Sequence, residues 1–370
     1  MTKTQSDTPR DGGSLRVAAM ADALGNAGLA VSKVGVRTET PRPRAAKRWW
    51  RRTRVALSAL FTFSPSVIKW YSPQAVDQLA GALETEPAAA VLVLSHSQMA
   101  PYRHLFGGPV MVDMHNVESQ LIASYRKSAG PLFRLVLGWD SLALARVERK
   151  IARWADALVV VSDHDAQVVT GWGSREPLVA PNGVSQEAFR TVRADRDPAH
   201  PVIAFVGHLG WRPNVDACVW LVEEVFPHVL KECPGAIIRL VGRTPSERVT
   251  SLRSENVEIH GDVDSVLPLV ASADVATAPL LAAGGTRLKI IEALATGTPV
   301  VATGLGALGL EHLSSSGALA MEDRPAPFAE ALIRLIREPP DPDSTRRLVS
   351  SYEWGAVMRP AIEKIKELAG

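Results

Sequence analysis

Short apolar runs, each followed by a longer stretch of helical periodicity, recur along the chain from about residue 88. Ala88–His96 (AAAVLVLSH), Pro109–Asn116 (PVMVDMHN) and Ala157–Ser162 (ALVVVS) are such runs, and each ends on polar residues. Pro131–Trp154, with Arg and Glu spread along it, lies between the last two and predicts a long helix. Val-rich runs of this kind predict parallel strands buried on both faces under crossover helices. Turn chemistry at Pro181-Asn182-Gly183 and the polar Thr191–Pro201 segment interrupt the pattern and predict a domain boundary. Beyond it the alternation restarts, with strands predicted at 202–207, 236–242, 257–260, 275–278, 299–303 and 318–321. Helices are predicted at 214–232, 246–254, 263–272, 286–296 and 326–337. Strand and helix in strict alternation define a doubly wound α/β domain. Ahead of residue 88, Ser14–Ala27 reads as a helix and Leu29–Val36 as a strand, and Tyr352–Leu368 reads as a closing amphipathic helix. The expected organisation is a domain over 1–190, a second over 191–345, and a terminal helix over 346–370 that packs back toward the first.

A length of 370 residues suits two such domains. With 46% hydrophobic and 22% charged residues, collagen-like, coiled-coil and largely disordered chains are excluded. Basic and acidic residues nearly cancel, 41 against 39, so overall charge gives no reason to expect a nucleic-acid partner. Cys218 and Cys233 match no zinc or redox spacing, which points to a reducing, cytoplasmic setting. No apolar run approaches 18 residues, and the polar N-terminus lacks the apolar stretch of a secretory signal. One local bias cuts across the neutral average. Between Glu39 and Asp77 there are eight basic residues and no acidic one, with Trp49, Trp50, Phe61, Phe63, Trp70 and Tyr71 interleaved. Basic residues with aromatics over 42–71 suit an anionic membrane surface, and the pattern is also that of a solvated basic helix or of a single-stranded nucleic-acid binder.

The segment Gly284–Val301 (GGTRLKIIEALATGTPVV) carries the most chemistry. Thr286 suits an N-cap, Gly297 a helix stop, and Pro299 follows it. A helix starting beside a Gly-Gly pair offers backbone N–H groups and its dipole to an anion. Lys289 and Glu292, three apart, share a face that can present a cation to a diphosphate and a carboxylate to ribose hydroxyls, and Arg287 adds a first-turn cation. The same residues also read as a surface ion pair on a capped helix. Gly304-Leu305-Gly306-Ala307-Leu308-Gly309 fits G-x-G-x-x-G, but Ser314–Ser316 leaves little room for a crossover helix after it. D-x-D occurs at 163–165, 262–264 and 341–343, and a metal role is not expected of any of them.

Taken in order, GGSLR at 12–16, DMHNVES at 113–119, VVVSDHD at 159–165, APNGV at 180–184, FVGHLGWRPNVDA at 205–217, RLVGRTP at 239–245, NVEIHGDV at 256–263, the 284–301 stretch and YEWGAV at 352–357 resemble glycosyltransferase family 4. The resemblance implies the GT-B fold, two Rossmann-like domains facing a cleft, and retaining, metal-independent sugar transfer from a nucleotide sugar without a further cofactor. Glu292 matches the second Glu of the family's E-x7-E motif, which holds the donor ribose. Lys289 and the Gly285-Thr286 backbone would face the donor diphosphate, with Arg287 beside them. Two positions depart from the pattern. Gly284 stands where the first Glu is expected, and His208 where a phosphate-binding Arg is expected, leaving Arg212 as the nearest basic substitute. His115 matches a His that borders the reacting sugar, Asp113 would orient it, and Asn116 and Glu118 are weaker candidates. Gly12 and Gly13 would form the loop that admits donor phosphate and acceptor.

The resemblance thus implies a transferase acting on a glycan, a lipid-linked glycan or a small-molecule hydroxyl; the cysteine usage adds a cytoplasmic setting, the 42–71 segment a peripheral place at the inner face of the membrane, and the near-neutral charge the expectation of no nucleic-acid partner. The departures leave two rivals: a nucleotide-sugar-binding protein without transfer, and a GT-B sugar-nucleotide epimerase. A further expectation concerns the N-terminus. Only eleven mostly polar residues precede Gly12, where the family pattern places an apolar strand, so the first domain is expected to lack its opening strand, through a late or misassigned start.

Overall fold

The computed structural model describes residues 2–3, 12–36, 49–85, 91–126, 130–194, 196–281 and 288–370. The chain forms two compact units: Met1–Pro181 together with Gly355–Gly370, and Asn182–Trp354. Among the described residues, no helix is long and apolar enough to cross a membrane.

In the first unit, Thr2–Lys3 (β1) runs parallel to Gly35–Val36 (β2). This pair forms a two-stranded sheet of its own among the described residues, and of the predicted Leu29–Val36 strand only the last two residues take strand geometry. Between them lies the helix Gly12–Asn26. Leu92–Ser95 (β3), Val110–Asp113 (β4), Ala157–Val160 (β5) and Leu178–Val179 (β6) form a parallel sheet in that order. Every residue of β4 and β5 is buried, as continuous apolar runs between two helical layers require. The helix Pro131–Trp154 sends Leu144, Val147 and Ile151 into this core. All four strands point the same way, so Ser95, Asp113 and Val160 end on one edge of the sheet.

In the second unit Val202–Val206 (β7), Ile237–Gly242 (β8), Val257–Gly261 (β9), Val275–Ala278 (β10), Val300–Ala302 (β11) and Leu319–Met321 (β12) form a six-stranded parallel sheet. Its order is β12-β11-β10-β7-β8-β9. The chain lays down β7, β8 and β9 outward on one side, then crosses to build β10, β11 and β12 on the other. The order reverses between β7 and β10, and the crevice at their C-terminal ends is where such sheets bind ligands.

Several helices differ from the periodicity. The stretch 214–232 is Arg212–Trp220, a π-turn over Leu221–Val225, then Phe226–Glu232. Pro227 lacks the N–H owed to the carbonyl four residues back, and opening one turn to π geometry accommodates it. The helix expected at 263–272 begins only at Leu267 because Pro268 fits in a first turn but not an interior. The helix expected at 246–254 ends at Thr250, where the Thr250 and Ser251 hydroxyls donate to the Glu247 and Arg248 carbonyls.

The loops that follow β7 and β8 meet backbone to backbone. Gly207 N–H donates to the Val241 carbonyl, and Leu209 N–H to the Arg243 carbonyl. Gly242 has φ +150°, and a Cβ there would lie 1.7 Å from the Gly207 carbonyl oxygen. Gly242→Ala is therefore expected to destabilise this unit by roughly 2–4 kcal/mol, measurable as a lower urea midpoint at unchanged m-value.

Candidate functional site

Each unit gathers polar side chains at the C-terminal edge of its sheet. In the second unit the helix Leu288–Ala295 follows β10 and buries Leu288, Ile290, Ile291 and Leu294. This phase turns Lys289 and Glu292 away from the deepest core and leaves both half-buried. Lys289 Nζ donates to Asn214 Oδ1 at 3.2 Å and sits 4.4 Å from the centre of the Phe205 ring on β7. Asn214 is buried in the first turn of the helix after β7, and its Nδ2 donates to the His208 carbonyl at 3.0 Å. The cation is thereby fixed at the β7–β10 switch point. Burial pulls Lys289 down to about 8, against the opposing effects of Cys218 and Glu292. Burial likewise raises the Glu292 carboxyl to about 7, and Lys289 only partly offsets it.

Arg212 lies elsewhere in character. It is exposed on the first turn of its helix and faces Asp216 at 3.6 Å, while Asp216 also accepts from Arg248 at 3.0 Å. His208 is exposed. Gly284, Gly285, Thr286 and Arg287 lie outside the described residues.

In the first unit Asp113, at the end of β4, is wholly buried, and so is Arg16 on the helix Gly12–Asn26. Arg16 Nη2 donates to Asp113 Oδ1 at 2.7 Å and Nε to both carboxylate oxygens at 3.0 Å. Its Nη1 donates to the carbonyls of Ala180 and Pro181 at 2.7 and 3.0 Å. Burial alone would raise the Asp113 carboxyl, but Arg16 and then His115 outweigh it and hold it below the usual carboxylate range. His115 Nε2 lies 3.1 Å from Asp113 Oδ2, and its buried Nδ1 makes no hydrogen bond within the described structure. The His115 ring lies against that of His96, with centroids 3.8 Å apart and planes tilted by 37°. His96 follows β3 with φ +79°, uncommon for a residue with a side chain, and its N–H donates to the Asp113 carbonyl at 2.8 Å. Gly12 and Gly13 open the helix that carries Arg16.

A second buried carboxylate underlies this edge. Glu148 on the helix Pro131–Trp154 accepts from Ser97 Oγ at 3.2 Å, from Glu118 N–H at 2.8 Å and from Ser119 N–H at 3.3 Å. It therefore caps the helix Glu118–Arg126 and ties it to the residue after His96. Burial raises Glu148 to about 7, with the hydrogen bonds from Ser119 opposing. Among the described residues no three His, Cys, Asp or Glu side chains assemble into a metal-holding cluster.

The structure therefore brings together Asp113 and His115, and separately Lys289 and Glu292. Sequence reasoning did not single out Arg16, His96, Glu148 or Asn214. Arg16 and Glu148 had a signal, a charge at a core phase of a helix: Arg16 lies four residues before Met20, and Glu148 beside Val147 and three before Ile151.

With this geometry in hand, comparison with known proteins places the chain. Residues 11–183 match the family described as Glycosyl transferase 4-like domain, and residues 200–338 the family described as Glycosyl transferases group 1. The chain thus carries a glycosyl transferase 4-like domain followed by a glycosyl transferases group 1 domain. A phosphatidyl-myo-inositol mannosyltransferase of Propionibacterium freudenreichii subsp. shermanii is 26% identical over 236 residues, which cover 61% of this chain and 59% of that one. A glycogen synthase of Mycobacterium tuberculosis is 26% identical over 243 residues, covering 60% and 57%. The chain thus spans less than two thirds of the length of these relatives. Among solved structures, sucrose-phosphate synthase from Thermosynechococcus elongatus superposes with a TM-score of 0.65 at 17% identity, covering 98% and 96% of the two chains. WaaG, a glycosyltransferase involved in lipopolysaccharide biosynthesis, gives 0.63 at 14% identity, covering 97% of each. Anabaena HepE, in complex with UDP and glucose, gives 0.61 at 14% identity, covering 98% of each. At such identities the shared property is the fold, which is GT-B.

Two expected outcomes follow from the buried charges. Arg16→Met leaves Asp113 buried without its cation and is expected to cost about 3–5 kcal/mol, read from chemical denaturation. Glu148 and Glu292 both bind a proton more tightly folded than unfolded, being raised from 4.5 to about 7. The stability they contribute is full below about pH 4.5 and is lost as pH rises through about 7. Lys289, lowered from 10.5 to about 8, acts only above that window, where its effect on stability rises with pH. Stability is therefore expected to fall between pH 5 and 8, and Glu148→Gln to flatten the fall, Glu148 accounting for on the order of 2–3 kcal/mol of it.

Proposed function

We propose that the protein transfers a sugar from a nucleotide-sugar donor to a hydroxyl of a glycan, a lipid-linked glycan or a small molecule, with retention of configuration, no bound metal and no further cofactor. The observation that carries this reading is Lys289, held by Asn214 and Phe205 at the switch point of the second sheet with Glu292 on the next turn. The HepE neighbour, in complex with UDP and glucose, supports a uridine-type or similar donor for a site on this fold. The mannosyltransferase relative, named for phosphatidyl-myo-inositol, supports a lipid-linked acceptor among the three classes.

In the reaction the bond between the anomeric carbon and the diphosphate oxygen breaks with its electron pair on the diphosphate. A new bond forms to the acceptor oxygen, whose proton is released. Lys289 and the start of its helix stabilise the charge that develops on the diphosphate, which is electrostatic preorganisation. Glu292 accepts from ribose hydroxyls. His115, oriented by Asp113 and lying against His96, serves the reacting sugar or the acceptor. Arg212, exposed and engaged with Asp216, contributes to donor phosphates at most at longer range, so more of the charge falls on Lys289 and on the Gly285-Thr286-Arg287 segment. The cytoplasmic setting rests on Cys218 and Cys233, which match no zinc or redox spacing, and the membrane-peripheral one on the basic and aromatic segment 42–71.

Incubation with a panel of nucleotide sugars, with nucleotide release followed with and without acceptors, tests the reading. Lys289→Ala is expected to lower turnover by about 10²–10³-fold, the usual loss on deleting one preorganised donor, with Glu292→Ala acting mainly through donor affinity. Donor affinity of the wild type should weaken above about pH 8 as Lys289 loses its proton. Unchanged turnover in both variants would sink the site assignment. Nucleotide binding without donor consumption would favour the binding protein, for which Gly284 in place of the usual carboxylate speaks, and a product of the donor's own mass would favour the epimerase.

A further inference from the structure

The first half of the helix Pro131–Trp154 presents its apolar stripe to solvent. Leu132, Leu135, Val136, Trp139 and Leu142 recur at helical spacing on one face, and Leu132 and Leu135 are 75% and 71% exposed. An amphipathic helix of a globular unit normally turns such a stripe inward, as this same helix does from Ala143 onward. A second apolar element is fastened beside the stripe. Trp139 Nε1 donates to the Phe63 carbonyl at 2.8 Å, and the hydroxyls of Ser64 and Ser66 both donate to the buried Asp140 carboxylate. The turn they hold carries Leu60, Phe61 and Phe63, all exposed. Together these side chains make a contiguous apolar face of a kind that marks an interaction surface.

Along the chain, the segments that carry this face have no acidic residue between Glu39 and Asp77 or between Glu118 and Asp140, and among the described side chains Lys69, Arg126 and Arg134 are exposed cations. Asp140, on the helix that carries the stripe, is buried and engaged by Ser64 and Ser66. Arg126 is exposed and lies over Gly138, next to Trp139. Lys69 is exposed one residue from the exposed Ile68.

We propose that this face docks on an anionic lipid bilayer: the Leu132–Leu142 stripe and the Leu60–Phe63 turn enter the headgroup boundary and the surrounding Arg and Lys side chains meet lipid phosphates. A bilayer interface asks for apolar side chains flanked by cations on one surface, without geometric complementarity. A single-stranded nucleic acid could stack on Phe61, Phe63 and Trp139, but it leaves the exposed aliphatic Leu132, Leu135, Val136 and Leu142 without a partner, which a bilayer supplies. The proposal rests on the transferase reading only for what the membrane presents, an acceptor, and not for the docking itself.

The test is sedimentation of the full chain with vesicles of phosphatidylcholine alone and of phosphatidylcholine with phosphatidylglycerol, for the wild type and for Leu132→Asp/Leu135→Asp. Both positions are exposed, so the variant is expected to keep the wild-type melting temperature and donor turnover on a soluble acceptor. The wild type is expected to bind the anionic vesicles, less so as salt rises, and the variant to bind them at least about ten-fold more weakly. The proposal is overturned by no wild-type binding to anionic vesicles at low salt, by equal binding by the variant, or by a concentration-dependent dimer in solution that the variant abolishes while vesicles are ignored. Salt-sensitive binding to single-stranded RNA in place of vesicles also overturns it. Loss of donor turnover in the wild type, with vesicle binding intact, would refute the transferase reading and leave the docking face standing.

Discussion

Arg16 and Asp113 are both withdrawn from water, and neither charge could be kept there without the other. Their contact joins residues 97 apart in the chain. Arg16 also donates to the carbonyls of Ala180 and Pro181, so one guanidinium ties the first helix, the end of β4 and the segment just after β6 together. Asp113 in turn meets His115 through its carboxylate and His96 through its backbone carbonyl. The paired histidines stand where they do because this ion pair fixes the strand ends beneath them. Glu148 performs a comparable service one layer down, holding Ser97 and the start of the helix at Glu118.

The second unit solves the same problem with fewer charges. Its topology reverses between β7 and β10, which opens a crevice at the strand ends without any side chain being spent on it. The close backbone approach of Gly207 and Gly242 brings the loops after β7 and β8 together. Asn214 then reaches both the His208 carbonyl and Lys289. A lysine lowered toward neutrality beside a carboxyl raised toward it describes a polar pair held out of water, and an arriving diphosphate would restore the lysine's preference for its charged form.

Much of this architecture was legible in the chain. Val-rich runs separated by helical stretches named nearly every strand of the second unit to within a residue, since a strand buried on both faces leaves a continuous apolar signature. Where helices fell short of their periodicity, local chemistry overruled it, as at Pro227 and Pro268. The Leu29–Val36 run shows the opposite limit. It has strand composition, but only Gly35–Val36 finds a partner, in Thr2–Lys3.

The sequence by itself determined the two α/β domains, which follow from local periodicity recorded directly in the order of residues, and its resemblance to glycosyltransferase family 4 pointed to Asp113, His115, Lys289 and Glu292. Tertiary structure alone decided that Arg16 pairs with Asp113, that His96 lies on His115, that Asn214 holds Lys289, and that Arg212 stays at the surface. It also decided that the stripe from Leu132 to Leu142 faces outward, although its spacing is that of a core-facing helix. Periodicity states which positions share a face. Whether that face meets a core, a distant charge or solvent depends on contacts between residues far apart in the chain, and the cost of removing each group from water is set only there.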